Sequence, residues 1–507
     1  MSVTQPLSSG DVVDALGADL RSAGFTTDGV AELLGADAGA AFSRGLWWSA
    51  LRVTDRAGAD QQRLAVLVRL FLLGTDESPE RVQQAMPGLG VDTLLDSGVV
   101  EAGDQGTIRA ALDIRPHSDG NRDFLVVSDQ DAAMRPGPLR RNHVLGIGGT
   151  SITLAHAVVR DPVRSALDLG TGCGIQALHL DAHTDHIVAT DTNPRALALA
   201  AATARLNGMS WDLRHGSLFE PVAGERFDLI VSNPPFVVGT GALDFQYRDS
   251  GMAGDALCAN LVGQAGDHLE PGGTLQILAN WIVRRGDEGG AWRDRVSGWL
   301  SGTGLHAWVV QREFADPYSY VSLWTSDAGE LPADAARRGG LWLDWFEAED
   351  IAGVGMGSIT LRAPRSGERR SPDRVLEEIA GPDEMLSGPE VAAFFARREY
   401  LHATTDAQLL ASRLSTAPVF LEEQSLPGED GWQMVGAAVR RPGGPGAIIG
   451  VDEVSRALLA GCRGEVPLGV LIDLLATHHG VDGDALAEAA LPVVREAIGR
   501  GILYEAV

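Results

Sequence analysis

An apolar strand that runs straight into a glycine-rich turn and then into a helix constrains this chain more than any other feature. The run is Ala166-Leu-Asp-Leu-Gly-Thr-Gly-Cys-Gly-Ile175. Glycines at 170, 172 and 174 let the backbone pass close to a ligand without side-chain obstruction. From about Asp123 onward, short β-rich runs alternate with helical ones, the pattern of a βα sheet. The strand candidates are Asp123 to Val127, Ser165 to Leu169, Ile187 to Asp191, Trp211 to His215, Phe227 to Ser232, Thr274 to Ala279, His306 to Gln311 and Tyr320 to Trp324. Helices fit at Ile175 to Asp181, Pro194 to Asn207, Gly254 to His268 and Gly290 to Ser301. Several strands are almost continuous apolar runs, as expected where both faces of a sheet are covered. The last two follow each other with no helix between them and are expected to form an antiparallel edge hairpin, with Leu341 to Phe346 and Ser358 to Leu361 extending the domain. The expected fold class is α/β and Rossmann-like.

Such a turn binds a nucleotide-like cofactor, and two acids refine the reading. Asp168 ends the strand, where a carboxylate can hold an ammonium directly or through water. Asp191, seventeen positions after Gly174, ends the next strand, where it can accept both ribose hydroxyls. A nicotinamide enzyme places an acid there too, so Asp191 leaves both cofactor classes open. Val144-Leu-Gly-Ile-Gly-Gly-Thr-Ser151 is a second glycine-rich segment that can close over the same site.

Asn233-Pro-Pro-Phe236 follows the apolar strand Phe227 to Ser232. In an open α/β sheet that strand end faces the ligand crevice. An amide or aromatic-amine nitrogen is a poor nucleophile because its lone pair is conjugated. The Asn233 side-chain oxygen can accept one N–H and the Pro234 carbonyl the other, which frees and aims the lone pair. Pro234 and Pro235 stiffen the loop, and Phe236 offers a flat face to a planar group.

These residues resemble the class I methyltransferases that carry an Asn-Pro-Pro-aromatic motif, and most of all the HemK-type protein glutamine N5-methyltransferases. The likeness covers roughly Thr150 to Ala279. It includes Tyr247-Arg-Asp-Ser-Gly-Met-Ala-Gly-Asp-Ala-Leu257, similar to the stretch that follows the motif in that family. The resemblance implies a mostly parallel seven-stranded sheet and S-adenosylmethionine as cofactor. It implies a cofactor site of Asp168, Gly170, Thr171, Gly172, Gly174, Asp191, Thr192, Ser217, Leu218 and Asn233, and a catalytic set of Asn233, Pro234, Pro235 and Phe236. Its protein partner would be the Gly-Gly-Gln loop of a translation release factor. Three features depart from the family. Phe236 stands where Tyr is usual, as in relatives that methylate RNA bases. Ser217 in Gly216-Ser-Leu-Phe219 replaces the usual Asp beside the adenine, leaving a hydroxyl or the Leu218 backbone to recognise it. The long C-terminal extension has no counterpart in short HemK enzymes. Methylation of an adenine or guanine amino group in ribosomal or transfer RNA is therefore the alternative, and a dehydrogenase or non-catalytic binding module is disfavoured by the intact motif.

With 507 residues, several domains are expected: 1–112 helical and winged-helix-like, 113–362 catalytic, 363–375 a polar linker, and 376–507 winged-helix-like. The N-terminal part shows amphipathic helices, a Ser78-Pro79 helix start and a short hairpin near Val99 to Leu112. The C-terminal part ends in helices Leu468 to His478 and Gly483 to Gly499 and a strand, Ile502 to Glu505. A net charge of −27 argues against a broad nucleic-acid-binding face, though Arg135, Arg140, Arg141, Arg365, Arg369 and Arg370 are candidates for a local basic groove. Cys173, Cys258 and Cys462 show neither metal nor disulfide spacing, no metal is expected, and no apolar run reaches bilayer length. The N-terminus lacks signal-peptide character, so a cytoplasmic protein is expected. Trp47-Trp48 are expected in the N-terminal core, with a stacking platform for a base as the alternative, Trp342 and Trp345 packed on the sheet, and Tyr318 in a turn, with a place bordering the substrate as the alternative.

Overall fold

The computed structural model describes residues 5–131, 139–243, 245–286, 290–327, 331–379, 381, 384–428 and 431–506. Arg135 lies outside them. The chain divides into two compact units, one of residues 1–155, 161–307 and 313–372, the other of 156–160, 308–312 and 373–507.

The centre is an eight-stranded sheet whose strands we number in chain order: β1 Val163–Leu169, β2 Thr184–Asp191, β3 Asp212–His215, β4 Phe227–Ser232, β5 Leu269–Arg284, β6 His306–Ala315, β7 Ile351–Arg362 and β8 Arg374–Glu378. Their order is β8-β6-β7-β5-β4-β1-β2-β3. β1 is parallel to β2 and β4, β2 to β3, and β4 to β5, while β7 is antiparallel to β5. The chain winds outward from β1 to β3 and then restarts on the other side at β4. The crevice at this switch point opens between the ends of β1 and β4. Leu167, Val188, Ala189, Leu229, Ile230 and Val231 are fully buried, which explains why these strands read as unbroken apolar runs.

Two sequence expectations about strands are corrected. Tyr320 to Trp324 is not a strand but part of the helix Pro317–Asp327. Asp316 caps it, its Oδ1 accepting from the Tyr318 and Ser319 N–H groups at 2.9 and 3.1 Å, and Pro317 sits in the first turn. That start signal outweighs the β preference of Tyr, Val and Trp. Leu341 to Phe346, expected only to extend the domain, lies inside a helix, Pro332–Ala348. Asp123 to Val127 stands outside the main sheet, in a hairpin with Leu112–Ser118. Thr203, in the helix Pro194–Leu206, and Asn207, which caps its C-terminus, satisfy the backbone of Val127 and Leu125. The sheet also has one strand more than the seven expected, namely β8.

The N-terminal helices precede the paired strands Val100–Ala102 and Ile108–Ala110, and Ser78 caps Pro79–Ala85 as its sequence suggests. Helix Gly10–Ser22 is fastened to helix Pro194–Leu206 by an Arg205–Asp14 ion pair at 2.6 Å and by Arg21 donating to the Leu206 carbonyl at 2.7 Å. Trp47 and Trp48 are not core residues: they are 54% and 56% exposed.

In the second unit, helices Glu453–Gly461, Leu468–His479 and Gly483–Gly499 enclose a core that includes Leu458, Ile472 and Val494. Leu414–Thr416 pairs antiparallel with Leu503–Glu505. A hairpin, Phe420–Gly428 with Gly431–Arg440, is extended by Ile448–Gly450. Trp308 stacks on Phe394 at 4.1 Å.

Candidate active site

The glycine turn leaves β1 with Gly170, Gly172 and Gly174 all at positive φ. A Cβ on Gly174 would stand 2.6 Å from the Trp211 ring, so only glycine fits there, whereas Cβ atoms on Gly170 or Gly172 would meet nothing within 4 Å. Two of the three glycines therefore face open space, room that a ligand can enter. The N–H groups of Gly170 and Thr171 both donate to the Thr190 carbonyl at 2.9 Å, fixing the turn to β2.

Asp168 is fully buried beneath the turn. Its Oδ2 accepts from Thr171 Oγ1 at 2.6 Å and from the Ala177 N–H at 3.0 Å, while its buried Oδ1 has no hydrogen-bond partner. Burial raises its pKa to about 6 against the lowering effect of those two donors, and the neighbouring Asp191 adds to the rise. Asp191 accepts from the Gly172 N–H at 2.9 Å and the Asn193 N–H at 2.8 Å. Burial pushes its carboxyl above the ordinary range, opposed by the N–H groups of Asn193, Gly172 and Thr192. Thr192 and Ser217 are exposed beside it, and the Gly216 N–H donates to the Asp191 carbonyl at 3.1 Å. Leu218 has φ +50°, a left-handed conformation that few side chains adopt and that marks a strained turn at this rim.

Across the switch point, Ser232 Oγ donates to the Leu169 carbonyl at 2.6 Å and locks the end of β4 to the end of β1. Asn233 follows, its Oδ1 buried and without a hydrogen-bond partner. The Pro234 carbonyl accepts from the Phe236 N–H at 2.7 Å and keeps a second lone pair. The Phe236 ring meets Trp324 edge-on at 6.2 Å. The structure thus brings the glycine turn, both acids and the tetrapeptide to one crevice.

Several participants were missed from the sequence. Asp129 accepts from Arg195 Nη2 at 2.5 Å, Arg140 Nη2 at 2.7 Å and the Val144 N–H at 3.0 Å. Burial raises its pKa, but these cations outweigh it and hold the carboxyl below the ordinary range. Asp129 thereby fixes the segment before Gly146. That segment reaches the cofactor rim through Asn142, whose carbonyl accepts from Asn193 Nδ2 at 3.0 Å, and the post-motif loop through Arg141, whose carbonyl accepts from the Gln246 N–H at 3.0 Å. Of the arginines considered for a basic groove, Arg140 pairs with Asp129 and Arg370 with Glu368. Tyr320, Trp342 and Asn280 gather behind the motif. The Asp316-Pro317 helix start was a sequence signal for Tyr320 alone, and Trp342 was expected only to pack on the sheet. Among the described residues, no three His, Cys, Asp or Glu side chains gather as a metal site, and no helix is long and apolar enough to cross a membrane.

Residues 148–285 match the family described as methyltransferase small domain, and residues 22–111 and 392–505 match two domains of unknown function. The release factor glutamine methyltransferase of Geobacter sulfurreducens is 36% identical over 141 residues, 25% of this chain and 50% of that protein. The ribosomal RNA small subunit methyltransferase C of Pasteurella multocida is 36% identical over 135 residues, 26% of this chain and 37% of that protein. The chain thus spans half or less of the length of these two relatives. A solved T. thermophilus 16S rRNA N2 methyltransferase aligns at 20% identity and TM-score 0.25, covering 40% of this chain and 53% of that one. The matched segment, residues 148–285, contains the glycine turn, both acids and the Asn-Pro-Pro-Phe loop.

Proposed function

We propose that the protein is an S-adenosylmethionine-dependent methyltransferase that modifies a planar nitrogen, the side-chain amide of a glutamine in a protein of release-factor type. The observation that carries this reading is the buried, unpartnered Oδ1 of Asn233 at the crevice. A buried acceptor without a donor is costly, and a substrate N–H satisfies it. The cradle fits the cofactor. Gly170 and Gly172 leave space, Asp191 offers a carboxylate to ribose hydroxyls, and the free Oδ1 of Asp168 suits a cationic amine. When bound, S-adenosylmethionine supplies an electrophilic methyl group on positively charged sulfur.

The chain's own residues then do the rest. Asn233 Oδ1 accepts one N–H of the amide and the Pro234 carbonyl accepts the other, turning the nitrogen lone pair toward the cofactor. Phe236 holds the amide plane. Methylation acidifies the nitrogen, so water takes the proton and no strong base is needed. The Tyr247 to Leu257 stretch, the acidic chain and the glutamine-methylating relatives support a protein acceptor. The terminal regions would orient it, and a translation substrate puts the reaction in the cytoplasm.

A second reading, methylation of an RNA base amine, is favoured by Trp47 and Trp48. They are exposed in a stretch, Ala38 to Thr54, that also carries exposed Arg44 and Arg52 and has no acid. Labelled S-adenosylmethionine in cell lysate separates the two. Label that survives RNase and is lost to protease supports the protein reading, and the reverse overturns it.

A further inference from the structure

Val238 is fully buried two residues beyond the tetrapeptide and belongs to no strand. Its backbone is nevertheless held at both ends by side chains. Its N–H donates to Tyr320 Oη at 2.8 Å, and its carbonyl accepts from Trp342 Nε1 at 3.0 Å. The two side chains come from different helices, Pro317–Asp327 and Pro332–Ala348. Tyr320 Oη also accepts from Asn280 Nδ2, on β5, at 2.9 Å. One turn further along its helix, Trp324 stands edge-on to Phe236, and its carbonyl accepts from Arg248 Nη1 at 2.5 Å. The Arg248 carbonyl in turn accepts the Val237 N–H at 3.2 Å.

We propose that Tyr320 and Trp342 are positioning residues for transfer: by clamping the Val238 peptide they set the aim of Asn233 Oδ1 and the Phe236 ring. This rests on the function proposed above. The loop from Asn233 to Val238 is anchored at its start by the Ser232–Leu169 bond. Two prolines make it stiff, so a shift at its far end is transmitted to the motif rather than absorbed. Without the clamp the far end would rest on the backbone bonds of Val237 to Arg248 and Gly254 to Gly239, which leave the Val238 peptide itself unheld. Packing alone does not account for the pair, because phenylalanine fills most of either volume without the hydroxyl or the indole N–H that Val238 uses.

The test compares Tyr320→Phe, Trp342→Phe, the double variant and Phe346→Leu, which loosens the same apolar cluster without bonding Val238. Three quantities are read on the full chain: S-adenosylhomocysteine affinity, amide exchange of the 233–240 segment, and the maximal rate and half-saturation with tritiated S-adenosylmethionine and cell lysate as acceptor. Both clamp variants should bind S-adenosylhomocysteine within about two-fold of wild type, exchange faster at Val238, and lose roughly ten- to a hundred-fold in maximal rate with half-saturation little changed. The double variant should lose no more than the worse single one, since both act through one peptide. A clamp variant within about two-fold of the wild-type rate overturns the proposal, and so does an equal loss in Phe346→Leu at the same melting shift. If Tyr320→Phe does not fold, Trp342→Phe still decides. A wild-type protein that labels nothing overturns the proposed function, while unchanged Val238 exchange in both variants overturns the clamp itself.

Discussion

At the scale of single residues, two buried oxygens lack partners at the places where a ligand is expected, Asp168 Oδ1 and Asn233 Oδ1. Each unsatisfied buried group costs about 1–3 kcal/mol, which the protein keeps because a ligand's donor removes it. Asn233→Ala is expected to lower the transfer rate about 10²–10³-fold while S-adenosylhomocysteine binding, measured by calorimetry, changes little. Collapse of binding would show that Asn233 serves the cofactor instead. Asp168 supplies a second prediction. Its pKa is raised to about 6 by burial, so the ionised form is the strained one in the free protein. In the free fold this strain is fully present above pH 6 and is relieved as pH falls through about 6. A cationic amine favours the ionised form, so protons compete with it. Cofactor affinity should weaken as pH drops from 7.5 to about 5, with the bend near 6, and Asp168→Asn should bind weakly with a flat profile. A wild-type affinity independent of pH over this range would remove Asp168 from the ammonium site.

At the scale of elements, the glycine turn and the two helices after β6 show opposite degrees of legibility. The strand-turn-helix at Ala166 to Ile175 was readable because glycine spacing and apolar runs are local signals. Gly174→Ala places a Cβ at φ +88° and 2.6 Å from Trp211. The left-handed conformation alone costs roughly 1–2 kcal/mol, and the clash adds to it. A thermal melt should fall by several degrees, and an unchanged melt would mean the turn rearranges at no cost. The helix Pro317–Asp327 was misread because Tyr320, Val321 and Trp324 are strand formers. Its start depends on one capping carboxylate, Asp316, which also reads as a turn. Local preference loses here to tertiary demand, since Tyr320 and Trp324 are wanted behind the motif.

At the scale of the molecule, the net charge of −27 frames the choice of acceptor. An RNA acceptor held through phosphates releases counterions, so its methylation should fall steeply, by powers of ten, between about 50 and 200 mM salt. The glutamine reading expects only a shallow change over that range, measured as label incorporated into purified acceptor fractions. A steep fall that Trp47→Ala together with Trp48→Ala reproduces at low salt would move the assignment to RNA. Those tryptophans were expected in the core and are exposed instead. Large aromatic side chains are usually buried, and nothing in the local sequence says that no partner element covers these two.

The sequence by itself determined the α/β class, the glycine turn, the two acids and the tetrapeptide, because each is a contiguous pattern whose residues act on their own backbone. Only the tertiary structure decided that Asn233 Oδ1 is left without a donor, that Asp168 turns one oxygen to the glycine turn and leaves the other free, and that Val238 is clamped by Tyr320 and Trp342. The Val238 contacts span 82 and 104 positions of chain. Burial and direction create them, and neither is a property of a residue's immediate neighbours.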